Sequence, residues 1–294
     1  MLWAGATIAA AAFQVGRNAL QRGMIGQSGP WGATLVRFLF GLPFSLFFVG
    51  LAWIFTPDAA LQFGSGFWWP ALAGALAQVL ATAALLLAMA YAGFAIGTAL
   101  QQSSVPLAAI MGLLVFGDNL SLLGWSGVAA TTIGLAILVW PRPAASEDKP
   151  VQGVLLGLAS GLLFGFALNA FRHAGLGLEP RHPFLAAAVS VAVVQAVQAG
   201  ALILYLLWRD RPALIAVIRN WRRSLGAGLF GALASSGWFF ALNLAPAAAV
   251  RALGVIEMPI AALTGHQVFR EGLNVRQTLA VLIVTIGVAM TAGF

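Results

Sequence analysis

Arg251 and Glu257 stand six residues apart in an otherwise apolar stretch, AAAVRALGVIEMPIAAL. A carboxylate in such a run can accept a substrate ammonium or exchange a proton, and a guanidinium can hold a carboxylate. On a regular helix, six residues are ~9 Å of rise and end ~120° short of two whole turns. The two therefore do not form a simple i,i+4 pair, although both long side chains can reach one cavity. Pro259 follows Glu257 by two residues, and a proline inside a helix leaves a nearby carbonyl without its backbone donor. The plainer alternatives are a structural carboxyl at Glu257, protonated or paired with an arginine, and snorkelling of Arg251 to an interface. Arg37, seven residues into its own apolar run, has the same alternative.

Amides form a second group: Gln14, Asn18, Gln78, Gln101, Gln102, Asn169 and Asn243, with Ser103 beside Gln102. Gln14 and Asn18 are four apart and share a helix face. Each amide alone is as well explained by interhelical hydrogen bonding, worth ~0.6–2 kcal/mol in a membrane; together they suggest a polar cavity. Trp238, followed by Phe239 and Phe240, is either lipid-facing or packed bulk, or an aromatic wall of that cavity.

Chemistry of other kinds has little to work with. The chain has no cysteine, so thiolate metal sites and cysteine catalysis are absent. His173, His182 and His266 stand near the ends of apolar runs, and no HExxH or P-loop pattern occurs. No catalytic residue, metal or cofactor is expected, and the chain does not read as an enzyme.

The elements that carry these residues follow from composition. Of 294 residues, 61% are hydrophobic and 8% charged, against about 25% charged in soluble domains. Twenty-three charges cannot cover a soluble protein of this length. A span needs ~20 apolar residues, and hydropathy with its breakers places ten: 2–22, 30–55, 67–91, 94–116, 121–141, 151–173, 183–208, 223–243, 246–268 and 274–293. The expected fold is an all-α polytopic membrane protein. Residues 209–222 are too charged to span and read as a short amphipathic piece at the interface. The first span lacks a basic leading segment and is expected to be retained. Nine of ten tryptophans fall near predicted span ends, as an aromatic belt requires, and Trp238 is the exception.

Basic residues set the orientation. Twelve of the fifteen Lys and Arg lie on the side of the odd-numbered loops; Arg172, Arg181 and Arg251 lie on the side of the termini. The odd loops are therefore expected in the cytoplasm and both termini outside it. The net charge of +7 reflects this loop bias and not a nucleic-acid partner.

The two halves repeat. With a shift of 153, Phe116/Phe269, Leu120/Leu273, Thr132/Thr285, Gly134/Gly287, Leu100/Leu253 and Pro106/Pro259 coincide; with a shift of 151, Phe13/Phe164 and Asn18/Asn169 do. The repeats cover 1–141 and 151–294, joined by 142–150. Five spans per half is an odd number, so the second copy is inverted. Inverted repeats characterise alternating-access transporters with a midplane site. Span six carries Gly153, Gly157, Gly161 and Gly165 at four-residue spacing, which suits close contact with a neighbouring span or with a second copy.

The segment ALNLAPAAAVRALGVIEMPIAALTGHQVFREGLNVRQTLAVLIVTIGV resembles the second repeat of EamA-type proteins of the drug/metabolite transporter superfamily: a short break before span nine, Pro259, the Arg270-Glu271 turn and a small-residue last helix. GTALQQSSVPLAAIMGLLVFGDNLSLLGWSGVAATTIGLAIL is similar, with Asp118 at the acidic turn, and ATLVRFLFGLP resembles the family's second span. The resemblance implies a central cavity lined by spans one to four and six to nine, with five and ten as peripheral braces. Many relatives are drawn with cytoplasmic termini, which the charge count here contradicts. The resulting expectation is a monomeric inner-membrane secondary transporter exporting small metabolites, foremost aromatic or hydrophobic amino acids, with a proton as candidate coupling ion. The alternatives are a multidrug or sugar/nucleotide-conjugate transporter of the same fold, an intramembrane enzyme, or a channel.

Orientation is directly testable. A C-terminal reporter active only in the cytoplasm should be silent and one active only outside it should give signal; the reverse pattern would refute the charge-based topology.

Overall fold

The computed structural model describes residues 2–116, 121–139, 150–258, 260 and 275–292. Asp118, Pro259, His266, Arg270, Glu271 and most of the 142–150 connection lie outside the described residues. Every regular element described is helical: α1 (Leu2–Arg22), α2 (Ile25–Leu39), α3 (Leu42–Ile54), α4 (Ser65–Ala92), α5 (Phe94–Gln101), α6 (Ser104–Met111), a π-type turn (Gly112–Phe116), α7 (Leu122–Val139), α8 (Pro150–Leu178), α9 (Pro183–Arg209), α10 (Arg211–Arg219), α11 (Trp221–Leu244), α12 (Ala247–Leu253), a 3-10 turn (Gly254–Ile256) and α13 (Val275–Ala292). This is what a chain must do in hydrocarbon, where backbone groups can be satisfied only within the segment.

Five stretches are long and apolar enough to span: Ile25–Ile54, Ser65–Ala92, Val151–Leu178, Pro183–Arg209 and Trp221–Leu244. Shorter apolar helices, Ser104–Val115, Leu122–Gly134, Ala247–Ile256 and Thr278–Gly287, accompany them. The protein is thus an all-helical, multi-pass membrane protein. The expected spans differ from these five for local reasons. α1 carries a buried polar stripe, and the fourth and ninth expected spans are interrupted.

Each interruption has a residue-level cause. Gly29 takes φ 63°, ψ 176° just before Pro30, so the regular part of α2 begins at the proline. Gly93, at φ 85°, ends α4 and lets α5 begin one residue later. Between α5 and α6 the helix opens at Gln102–Ser103, four residues before Pro106, whose ring cannot coexist with a regular turn there. The Gln102 carbonyl instead accepts from Val105 at 2.9 Å. In the second half α12 tightens into the 3-10 turn at Gly254–Ile256, around the position four before Pro259.

The chain forms two compact units. The first is Met1–Val79 with Ala170–Ala245, the second Leu80–Asn169 with Pro246–Phe294. In the first, α1 packs on α11, and α2 and α3 pack on α9 and α11. Its core includes Leu35, Val36, Phe38, Leu202, Leu206, Leu214 and Val217. In the second, α7 packs along α13, and α12 lies against α6 and α13.

The α7–α13 contact is symmetric under the sequence repeat. A Cβ at Gly134 would meet Val284 and the Ala280 carbonyl, and one at Gly287 would meet Thr131 and the Gly127 carbonyl. These are matching positions under the shift of 153. The late part of each helix meets the early part of the other, so these repeat-equivalent helices run antiparallel. Arg276 Nη2, at the start of α13, donates to the Ile137 carbonyl near the end of α7 at 2.6 Å, in the same sense.

The glycine stripe of α8 packs within the second unit. Gly153 faces Tyr91 and Ala92, Gly157 faces Leu100, Gly161 faces Ser103 and Ser104, and Gly165 faces Ala108. It is a helix–helix seam inside the chain. Outside the spans, Glu179 ties two loops of the first unit. Its Oε2 accepts from the Ala60 amide at 3.0 Å and its Oε1 from the Arg181 amide at 2.9 Å. Arg181 and His182 lie 3.6 and 3.7 Å from the same oxygen, and His182 also approaches Asp58 at 3.6 Å. The Arg181 amide above all, against the opposing effect of burial, holds this carboxyl below its usual range, with help from the Ala60 amide and the Arg181 and His182 charges.

Two outcomes follow from these contacts. A Cβ at Gly157 would sit 2.5 Å from Leu100 Cβ, whereas one at Gly200 meets nothing within 4 Å. Gly157→Ala should therefore lower the thermal midpoint in detergent by the equivalent of about 1–3 kcal/mol, and Gly200→Ala should leave it unchanged or raise it. Because the Glu179 carboxyl is depressed on folding, its contribution is present above the unfolded carboxylate range and disappears as pH falls through the lower folded value. Glu179→Gln should be less stable than wild type at neutral pH, and the two melting curves should converge on acidification. A constant gap between them would show that the charge is not what ties the loops.

Candidate functional site

In the second unit the two interrupted helices bring four polar side chains together. Arg251 Nη2 meets Glu257 Oε1 at 2.7 Å, with both residues almost wholly buried. The expectation that these two do not pair holds for a regular helix; the 3-10 turn between them changes the rotation and rise, and the pair closes. Snorkelling of Arg251 is likewise set aside, since the residue is 2% exposed. Gln102, placed at the α5–α6 opening, bridges both charges. Its carbonyl oxygen accepts from Arg251 Nη2 at 2.9 Å, and its Nε2 donates to Glu257 Oε1. Ser104 Oγ accepts from Arg251 Nε at 2.6 Å. Each end of one neutral amide thus faces the charge it complements, which is how a buried ion pair offsets its desolvation.

Gln101 is buried beside this opening, and its Oε1 has no hydrogen-bond partner among the described residues. Asn169 stands apart on α8, where its Nδ2 donates to the Ala108 and Gly165 carbonyls at 3.2 and 3.0 Å.

The first unit has its own polar seam. Trp238 Nε1 donates to Gln14 Oε1 at 3.0 Å, so the mid-span tryptophan is held in the α1–α11 contact and is 5% exposed. One turn along α1, Arg17 donates to Asn18 Oδ1 at 2.7 Å, and Gln21 donates to the Ala33 carbonyl at 2.6 Å. Arg37 is also buried, 3.4 Å from Ser235 Oγ and over the Phe38 ring, so it does not snorkel either. Gln78 Oε1 accepts from Gln198 Nε2 at 3.0 Å. Asn243 lies at the end of α11, donating to the Pro183 carbonyl at 3.1 Å, next to Arg172, which caps the Leu242 and Ala245 carbonyls. Its contacts close a helix end.

Sequence reasoning overlooked two neighbours of Gln14 and Asn18 on α1: Arg17, which bonds Asn18, and Gln21, which bonds the Ala33 carbonyl. Their spacing at i, i+3, i+4 and i+7 already places all four on one face. It also overlooked Gln195 and Gln198, three apart in α9; Gln195 Oε1 accepts from Ser45 at 2.7 Å.

Comparison with known proteins agrees with this architecture. A solved structure titled only "Crystal structure of protein" superposes with a TM-score of 0.59 over 97% of this chain and 96% of its own, at 19% identity, a likeness of fold. No curated protein matches the sequence. Residues 151–293, just under half of the chain, match the EamA-like transporter family.

Proposed function

We propose that the protein is a secondary transporter that exports small metabolites across the cytoplasmic membrane, foremost amino acids with aromatic or hydrophobic side chains. The observation that carries this reading is the buried Arg251–Glu257 pair, built where two proline-associated interruptions coincide. Discontinuous spans are where inverted-repeat carriers hold substrate. A zwitterion presents one carboxylate and one ammonium, the same two charges as the pair. It can replace the internal ion pair by two external ones without leaving a charge unmatched, with Gln102 following either partner. A purely cationic drug would leave Arg251 without a counter-charge. The antiparallel α7–α13 pair supports the inverted arrangement of the two halves, 1–141 and 151–294. In length and expected span count the chain is also similar to the bacterial aromatic amino-acid exporter YddG.

Counterflow of labelled amino acids in proteoliposomes tests this reading. A charge-assisted hydrogen bond is worth about 1.5–3 kcal/mol, so Glu257→Gln should reduce counterflow about tenfold or more. That variant leaves a buried guanidinium without its carboxylate, so stability should fall as well. The neutral double variant Glu257→Gln, Arg251→Gln should recover stability but not transport. If the double variant transports like wild type, the pair is structural and the site lies elsewhere.

A further inference from the structure

Between the seventh and eighth expected spans, α10 presents two unlike faces. Asp210 caps it, accepting from the Ala213 amide at 3.1 Å. Ala213, Leu214 and Val217 are buried in the core of the first unit. Ile215 and Ile218 on the other side are 63% and 56% exposed. Trp208 and Trp221, just before and just after the helix, are 84% and 48% exposed. Between residues 209 and 223 the chain carries Arg209, Arg211, Arg219, Arg222 and Arg223 against Asp210 alone. Beside this face lies a cavity of about 670 Å³ lined by Gln27, Pro212, Ile215, Ala216, Arg219 and Asn220. The lining is apolar along Pro212, Ile215 and Ala216, and carries one guanidinium and two amides.

That combination selects among ligands. A lipid-facing helix alone accounts for isoleucine and tryptophan, and loop charge bias alone accounts for the arginines, but neither calls for a cavity that joins an apolar wall to Arg219. A free phosphate or organic anion needs the arginine and amides but has no use for an apolar wall flanked by exposed Ile215 and Ile218. A phospholipid with a net negative headgroup uses both: its phosphate and glycerol oxygens meet Arg219, Gln27 and Asn220, and its acyl chains continue over the apolar wall. We propose that the α10 cavity is a binding site for an anionic phospholipid of the leaflet that faces it. Arg219 is the headgroup contact, and the neighbouring arginines supply the attraction that concentrates such lipids at this edge.

Native mass spectrometry of the full chain in detergent, with equimolar phosphatidylglycerol and phosphatidylcholine, tests the site. The wild-type protein should carry phosphatidylglycerol in preference to phosphatidylcholine. A basic residue near a charged bilayer surface contributes about a factor of five in binding, so Arg219→Gln should reduce the phosphatidylglycerol-to-phosphatidylcholine ratio about fivefold. Arg219→Lys should retain most of the preference, and both variants should melt like wild type in the absence of lipid, because Arg219 is exposed. Glycerol 3-phosphate in tenfold excess should not displace the lipid. No preference in the wild type, or a preference unchanged in Arg219→Gln, would overturn the proposal. Displacement by glycerol 3-phosphate would overturn it in favour of a soluble anion.

Discussion

Hydrocarbon offers no hydrogen-bond partner to a peptide group, so a chain that is mostly inside a bilayer must satisfy its backbone within helices or lend it a side chain. Most of this protein takes the first course. The α5–α6 opening and the 3-10 turn after α12 need the second, and polar side chains gather there. Pro106 removes a donor and forbids a regular turn at Gln102. The Gln102 carbonyl closes a tighter turn with Val105, and its side chain is left at the opening to meet Arg251 and Glu257.

The ion pair depends on that local failure of regularity. On a continuous helix Arg251 and Glu257 would point away from each other; with the 3-10 turn between them they touch. A buried pair of this kind is weak evidence for added stability, since desolvation cancels much of the attraction. The exchange of partners proposed above would give such a pair a use that stability alone does not. The same reasoning separates it from Arg172, whose guanidinium caps helix-end carbonyls, and from Glu179, whose carboxylate is held mainly by loop amides.

Small residues do the complementary work. The α8 stripe lets that helix approach α5 and α6 closely, which presses the α5–α6 opening into a packed environment; a Cβ at Gly161 would lie 3.0 Å from the Ser104 amide. Gly134 and Gly287 do the same where α7 and α13 cross, at positions related by the repeat. Packing in lipid relies on such close approach because burial of apolar surface supplies no drive there.

Composition alone determined that the chain lives in a membrane, because 8% charged residues cannot solvate a surface of this size. Proline and glycine marked where helices stop, since their backbone limits are local and act wherever they occur: Gly93 and Pro106 are each followed or preceded by the break that their chemistry demands. Asn18, Gln14 and Glu257 were recognisable as costly polar groups for the same reason. Partner choice was not recognisable. That Trp238 bonds Gln14, that Gln78 bonds Gln198 and that Arg251 reaches Glu257 depend on which helix faces meet and on the rotation added by one non-α turn. A sequence lists side chains along one axis, whereas these contacts are set by the crossing and phase of two, which only the packed tertiary structure decides.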